Sequence, residues 1–365
     1  MSTIFSPSFG NRPSFLVGRE GVLDALLRGL ATSPGSRERS VVMLGQRGSG
    51  KTVLLWELAD RAAKMGYAVA TPTVASEGML GRIVEKIQEN GERFISSRDS
   101  PRIGGAQVGA LGFTVGLEFN RDVQETKSFE FKLTQLSREL TSRGHGVLIL
   151  IDELQANSPE IRQLVTVYQE LVGEGLNVAM VLAGLPGAVS ATLNDKVLTF
   201  LNRSRKVKLG PLPLGDVRAF YERAFARLRI DVDENWVSFL AQSAQGSPYL
   251  LQLLGYNVVL RLPEGGKANE EILRAAVSAS EEDYKNDVCG TTVASLSSQD
   301  VEFLVAMSQD DGASRMRDIA ERMDRTQDYA QKYRRRLIDA GVIEAAGHGL
   351  VKYAVPFLRG YLRAQ

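Results

Sequence analysis

The eight residues Gly45-Gln46-Arg47-Gly48-Ser49-Gly50-Lys51-Thr52 limit what this chain can fold into more than any other stretch of it. They fit the pattern G-x-x-x-x-G-K-[ST], in which glycines let the backbone curl until successive N–H groups and a helix N-terminus face phosphate oxygens. That mechanism needs a strand before the loop and a helix after it. Both are legible: Val41 to Leu44 is a short apolar run of the kind a buried parallel strand makes, and Val53, Leu54, Leu58 and Ala62 follow at helical spacing. Gly45 through Thr52 are therefore candidate contacts to ATP or ADP, with Lys51 reaching the β- and γ-phosphates and Thr52 ligating Mg²⁺.

A second motif completes the chemistry. Val147 to Ile151 is the strongest strand candidate, and it runs into Asp152 and Glu153. An apolar strand ending in two carboxylates puts Asp152 where it holds the Mg²⁺ water shell, and Glu153 where it orients or deprotonates an attacking water. Taken alone, the pattern also describes a core strand whose carboxylates begin a solvated loop. The P-loop ahead of it, in the correct order, favours the catalytic reading.

Tyr67 to Thr71, Val178 to Leu182 and Arg205 to Leu209 supply further strands, for a total of five, separated by helical patterns such as Phe129, Leu133, Leu136 and Leu140. Alternating strands and helices predict an α/β fold with a parallel sheet covered on both faces. After Pro213 the pattern turns all-helical, through Val217, Phe220 and Tyr221, then Trp236, Phe239 and Leu240, then Pro248, Leu251 and Leu254. At roughly 150 residues per domain, a chain of 365 residues holds two or three domains. The division is a P-loop domain over 1–212, a helical lid over 213–290 and a third unit over 291–365. An insertion at about 96–125 contains Phe113, Val115, Leu117 and Phe119 alternating with Gly112, Thr114, Gly116 and Glu118. This is a β-hairpin pattern, and it reads as an addition to the sheet edge or as a surface that contacts a partner.

Composition narrows the class. Lys plus Arg is 44 against 43 Asp plus Glu, a net charge of +1, so the chain carries no global footprint of a polyanion-coating protein and any nucleic-acid surface is local. The only cysteine, Cys289, has no disulfide partner. Met1 to Arg19 lacks a charged segment followed by an apolar one, and no run approaches 18 apolar residues. The expectation is a cytoplasmic protein with no membrane contact.

Leu16-Val17-Gly18-Arg19-Glu20, the P-loop with its acidic partner strand, and Gly246-Ser247-Pro248-Tyr249-Leu250-Leu251 together resemble the archaeal-type P-loop ATPases. These lie near the junction of the AAA+ and STAND groups, with a layout akin to the Orc1/Cdc6 initiators. The resemblance covers nearly the whole chain. It implies that the segment leading into Gly18 lies against the adenine, making Asn11, Arg12, Pro13 and Val17 base contacts and Gly18 part of the nucleotide site; a plain helix start is the other reading of Gly18-Arg19-Glu20. It also implies a role for Pro248 at the nucleotide, because Gly246-Ser247-Pro248 stands where AAA+ enzymes carry a lid arginine, as in STAND-type ATPases. The strand Val181-Leu182-Ala183-Gly184-Leu185 offers no polar sensor. Both departures point to a nucleotide-responsive switch rather than a fast motor. Arg203 and Arg205 match the place of an arginine finger for a neighbouring subunit in a homo-oligomer, or are surface charges beside Lys206 and Lys208.

The last region predicts three helices and a β-hairpin around Gly347-His348-Gly349, a winged helix-turn-helix. On its third helix, from about Thr326 to Ala340, Tyr329, Tyr333 and Leu337 share one face, while Arg325, Lys332, Arg335 and Arg336 gather opposite with Gln331 beside them. That face suits contacts to the phosphates and base edges of duplex DNA. From Ser295 onward 11 basic residues face 10 acidic ones, so a docking site for protein stays open as the alternative. His145 and His348 read as surface turn residues. The function expected is an ATPase of low turnover whose nucleotide state positions a DNA-associated winged helix; the alternative is a nucleotide-gated scaffold with negligible turnover.

Overall fold

The computed structural model describes residues 4–7, 15–74, 77–95, 128–155, 157–196, 198–262 and 266–365. The expected insertion at about 96–125, and Arg12 and Pro13, lie outside them. The first half alternates as expected: α1 (Glu20–Leu30), β1 (Ser40–Gly45), α2 (Lys51–Lys64), β2 (Tyr67–Val74), α3 (Met79–Ile95), α4 (Phe129–Ser142), β3 (Gly146–Asp152), α5 (Pro159–Gly173), β4 (Val178–Gly184), α6 (Pro186–Leu193) and β5 (Arg205–Leu209). The five strands form one parallel sheet in the order β2-β3-β4-β1-β5.

Helices cover both faces, which is why the strands read as unbroken apolar runs rather than alternating ones. Along β3, Val147, Ile149 and Ile151 join the core beneath α4 and α5 with Leu136 and Leu164. Leu148 and Leu150 point the other way, into a core with Leu23 and Leu26 of α1 and Leu54 and Leu58 of α2. Caps fix where helices start: Ser128 and Ser158 accept from the amides of Phe131 and Ile161, and Pro159 occupies the first turn of α5.

The lid comprises α7 (Leu214–Arg227), α8 (Glu234–Ser243), α9 (Pro248–Arg261) and α10 (Glu270–Tyr284). Its core takes in two residues that the sequence division placed in the first domain. Ile4 and Phe5 are buried there, with the Phe5 ring against Phe220, Tyr221 and Phe225. Gly255 leaves room for it, since a Cβ at that position would lie 2.0 Å from the Phe5 ring. The start of the chain thus fastens the lid.

The α10 helix does not stop at the expected boundary near 290. It continues through a π-helical stretch, Lys285–Gly290, into a last turn at Thr291–Ala294. Beyond it lie α11 (Ser298–Ser308), β6 (Ser314–Arg315), α12 (Met316–Arg322), α13 (Gln327–Asp339), β7 (Ile343–Gly347), β8 (Leu350–Tyr353) and α14 (Leu358–Arg363), with an antiparallel sheet ordered β6-β8-β7. The three expected helices and the hairpin are all there. Their apolar side chains, among them Phe303, Ile319, Leu337 and Leu358, are continuous with those of the lid in one hydrophobic core. Among the described residues no helix is long and apolar enough to cross a membrane.

Candidate nucleotide site

The P-loop hangs between the end of β1 and the start of α2, and its glycines are there for backbone reasons. Gly48 and Gly50 hold φ of +71° and +87°, the left-handed region that costs side-chain-bearing residues energy. A Cβ on Gly45 would lie 2.4 Å from Ser49 Oγ. Ser49 Oγ is itself buried with no hydrogen-bond partner, a polar atom held inside the loop that a phosphate oxygen would satisfy. Lys51 Nζ donates to the carbonyls of Gly45 and Gln46, each at 2.8 Å. Burial pushes its pKa down, while the carboxylates of Asp152 and Glu153 push it up. Arg47 stands exposed at the loop tip.

The strand order places the acidic motif beside this loop. Thr52 Oγ1 donates a short hydrogen bond to Asp152 Oδ2, joining residues 100 apart in sequence. The hydroxyl and the buried carboxylate are hard oxygen donors, the set that suits Mg²⁺. Among the described residues no group of three His, Cys, Asp or Glu could cage a metal. Mg²⁺ held by Thr52 and Asp152 would draw its other ligands from phosphate and water. Glu153 is exposed and takes φ of +53°, and its amide donates to Asp152 Oδ1 at 2.9 Å. A non-glycine residue in that conformation stores strain, here at the residue expected to handle the attacking water.

The lid and the C-terminal domain both close on the loop. A Cβ on Gly48 would meet Cβ of Tyr249 at 3.3 Å, and one on Gly50 would meet Pro248 at 3.7 Å. Gly246, with φ of +68°, donates no side chain to the crowded turn where its carbonyl accepts from Leu212 N at 2.8 Å. From the far side, a Cβ on Gly341 at the end of α13 would meet the Gln46 side chain at 3.4 Å. A Cβ on Gly187 in α6 would lie 2.7 Å from the Asp339 carbonyl. These glycines let the bodies approach nearly backbone to backbone.

Val17 is buried in the lid core, and Gly18, with φ of +60°, leaves room for Asp216 and Pro213 at the base of α7. Sequence reasoning gave no role to the next residue, Arg19. Its guanidinium is buried, donating to the carbonyls of Gly210 and Ser49, with Nε unpartnered and its pKa lowered by burial. One side chain thus ties the segment before α1 to the P-loop and to the exit of β5. Only its place in the Gly18-Arg19-Glu20 triplet hinted at this.

Arg203 and Arg205 are not brought to this loop. Arg205 pairs with β1 at Val41, and Ser204 Oγ lies 2.6 Å from Ser40 Oγ, at the opposite end of a strand roughly 16 Å long. Arg205 Nη1 donates to Glu38 Oε2 at 2.6 Å, whereas Arg203 is exposed. Arg325, just before α13, and Gln331, Lys332, Arg335 and Arg336 on it are all exposed, but Arg336 Nη2 also donates to buried Asp300 Oδ2 at 2.8 Å. The helical wheel sets Arg336 opposite Tyr333, whereas its guanidinium lies 5.6 Å from the Tyr333 ring and reaches that carboxylate on α11. His145 stacks on Phe94 at 4.2 Å between ring centroids and is half-buried, more engaged than a turn residue.

Residues 16–182 match the AAA ATPase domain family. Residues 286–362 match a domain of unknown function (DUF8462). No curated protein matches the chain. Among solved structures, the Walker-type ATPase PABY2304 of Pyrococcus abyssi is 17% identical, with a TM-score of 0.69 over 96% of this chain and 97% of that one. The ORC2 protein of Aeropyrum pernix, in ADPNP-ADP complexes, is 14% identical, with a TM-score of 0.64 over 98% and 97%. Over nearly its whole length the chain therefore shares the fold of these two proteins.

Proposed function

We propose that the protein binds ATP with Mg²⁺, hydrolyses it slowly, and uses the nucleotide state to set the position of its C-terminal domain. The observation that carries this reading is the convergence on one loop: Tyr249 and Pro248 of the lid and Gly341 of the C-terminal domain all rest on Gly48, Gly50 and Gln46. Closure of the loop around phosphate has to move against both.

In the hydrolysis step, water attacks the γ-phosphorus as its bond to the β–γ bridging oxygen breaks, and ADP and phosphate leave. The Lys51 ammonium would offset charge there, Thr52 and Asp152 would hold Mg²⁺ to neutralise phosphate oxygens, and Glu153 would orient the water and take its proton. Slow turnover follows from what the site leaves out: β4 ends in Ala183-Gly184 with no polar side chain, and the lid presents Pro248 rather than a cation. A single-turnover assay comparing wild type with Glu153→Gln tests the base. Equal hydrolysis in the two removes Glu153 from that role.

The C-terminal domain reads as a winged helix with duplex DNA as partner. Support comes from the exposed Gln331, Lys332 and Arg335 along α13 and Arg325 just before it, while the helix buries Ala330, Tyr333 and Leu337. Arg336 serves as an anchor to Asp300 as well as a candidate phosphate contact. Fluorescence anisotropy with random duplex DNA at two salt concentrations tests the reading, with affinity expected to fall steeply with salt and to weaken in Lys332→Ala/Arg335→Ala. No binding at low salt, with or without ATP, ends it. A protein-docking scaffold is the second reading, favoured by the fact that the C-terminal end of α13 already packs on α6.

A further inference from the structure

The lid touches the P-loop through Tyr249, and that same residue reaches toward the C-terminal domain. Its hydroxyl donates to Asp287 Oδ2 at 2.7 Å. Asp287 lies in the π-helical stretch Lys285–Gly290, which interrupts the otherwise continuous helix joining the lid to the C-terminal domain. A π-turn within an α-helix loosens the regular i→i+4 ladder and recurs at functional sites. The Tyr249 ring also lies 6.0 Å from that of Tyr284, the last residue before the stretch. Tyr284 in turn meets Phe357 edge-on at 5.9 Å.

Phe357 belongs to the C-terminal domain, and it holds φ of +60°, a costly conformation for a side-chain-bearing residue. Next to it, the Pro356 carbonyl lies 3.4 Å from Cys289 Sγ, again within the π-helical stretch. Burial raises the Cys289 thiol to about 12, so it stays protonated and able to donate at neutral pH. The strained Phe357 turn is thus held against the linker from two sides.

We infer that Tyr249, Asp287, Tyr284 and Phe357 form a strut that carries displacement of the P-loop across the π-helical stretch to the C-terminal domain. The inference rests on the reading that nucleotide state positions that domain. Its physical content is a division of labour. The peptide chain at Lys285–Gly290 permits bending, and the strut suppresses it, so that what moves Tyr249 moves Phe357. Burial and the charge of Asp287 keep the Tyr249 hydroxyl protonated as the donor. Asp287 is exposed, so replacing it leaves the core intact.

Hydrogen exchange of the full-length protein, without nucleotide and with saturating ADP, tests the strut in wild type, Tyr249→Phe and Asp287→Asn. Wild type is expected to show an ADP-dependent change in exchange over residues 314–353. Asp287→Asn is expected to bind ADP within about threefold of wild type, less than about 0.7 kcal/mol in binding, and both variants are expected to lose at least half of that change. If wild type responds and both variants respond equally, the strut is wrong while the positioning reading stands. If wild type binds ADP and residues 314–353 do not respond, the positioning reading falls and the strut falls with it. Should Tyr249→Phe fail to fold, Asp287→Asn decides alone.

Discussion

The two ends of the parallel sheet handle their polar groups in opposite ways. At the end where β1 and β3 start, Arg39 is buried with its donors spent: Nε on the Thr32 carbonyl and Nη2 on the Leu30 carbonyl, each at 2.7 Å, and Nη1 on Asn177 Oδ1. Tyr67 joins the same Leu30 carbonyl at 2.7 Å, and Asn177 Nδ2 reaches the His145 carbonyl at 3.1 Å. At the other end, Ser49 Oγ has no partner, Glu153 is strained, and Lys51 rests on loop carbonyls. Satisfied groups fix a fold, whereas unsatisfied and strained ones are held in reserve for a ligand. The contrast separates residues that matter for stability from those that matter for chemistry within a single sheet.

If that contrast is right, mutations at the two ends should affect different observables. Lys51→Ala should weaken ATP and ADP binding by ~100-fold or more, as loss of a charge-assisted phosphate contact does, with little change in melting temperature. Isothermal titration and thermal unfolding check the two halves separately. Glu153→Gln should keep ATP affinity and lose turnover by about a hundredfold or more, seen in single-turnover hydrolysis.

Arg39→Ala should do the reverse. It removes the partner of the half-buried Thr32 carbonyl, leaves the Leu30 carbonyl to the Tyr67 hydroxyl alone, and should cost on the order of 2–3 kcal/mol in chemical denaturation, with nucleotide affinity per folded molecule unchanged. A large loss of affinity there would break the comparison. Gly187→Ala drives a Cβ against the Asp339 carbonyl and should loosen the C-terminal domain by about 1 kcal/mol, read as faster exchange along α13.

The smallest effect concerns pH. Paired hydrogen bonds from Arg322 hold the Asp310 carboxyl at about 2, below its ordinary 3.8. Its contribution is therefore present above pH ~4 and lost as pH falls through ~2. The pair is partly solvated, so the loss should amount to no more than about 1 kcal/mol, and Asp310→Asn should flatten that part of the acid titration.

What the sequence made legible was local. The strands show because apolar runs must be covered on both faces, the P-loop because its backbone needs glycine at fixed places, and the helix starts because Ser158 and Pro159 serve adjacent capping roles. What it hid were partners distant along the chain. Arg19 meets a carbonyl 191 positions away, Arg336 a carboxylate 36 away, and Tyr249 an aspartate 38 away. No periodicity encodes such pairs, because each is fixed only when separately folded pieces pack. The same reason moved Phe5 from its expected domain into the lid.

The strand order also bears on how the molecule is made. β1 lies between β4 and β5, so the strand that carries the P-loop finds no neighbour in the sheet until residues near 180 have been added, about 140 positions later. At ~5–20 residues per second of synthesis, that leaves Val41 to Leu44 unpaired for roughly 7–30 seconds. Nucleotide cannot template the early fold. Its binding instead marks the moment when the sheet has closed around its central strand, and a chain arrested before β4 should carry the complete P-loop sequence without affinity for ATP.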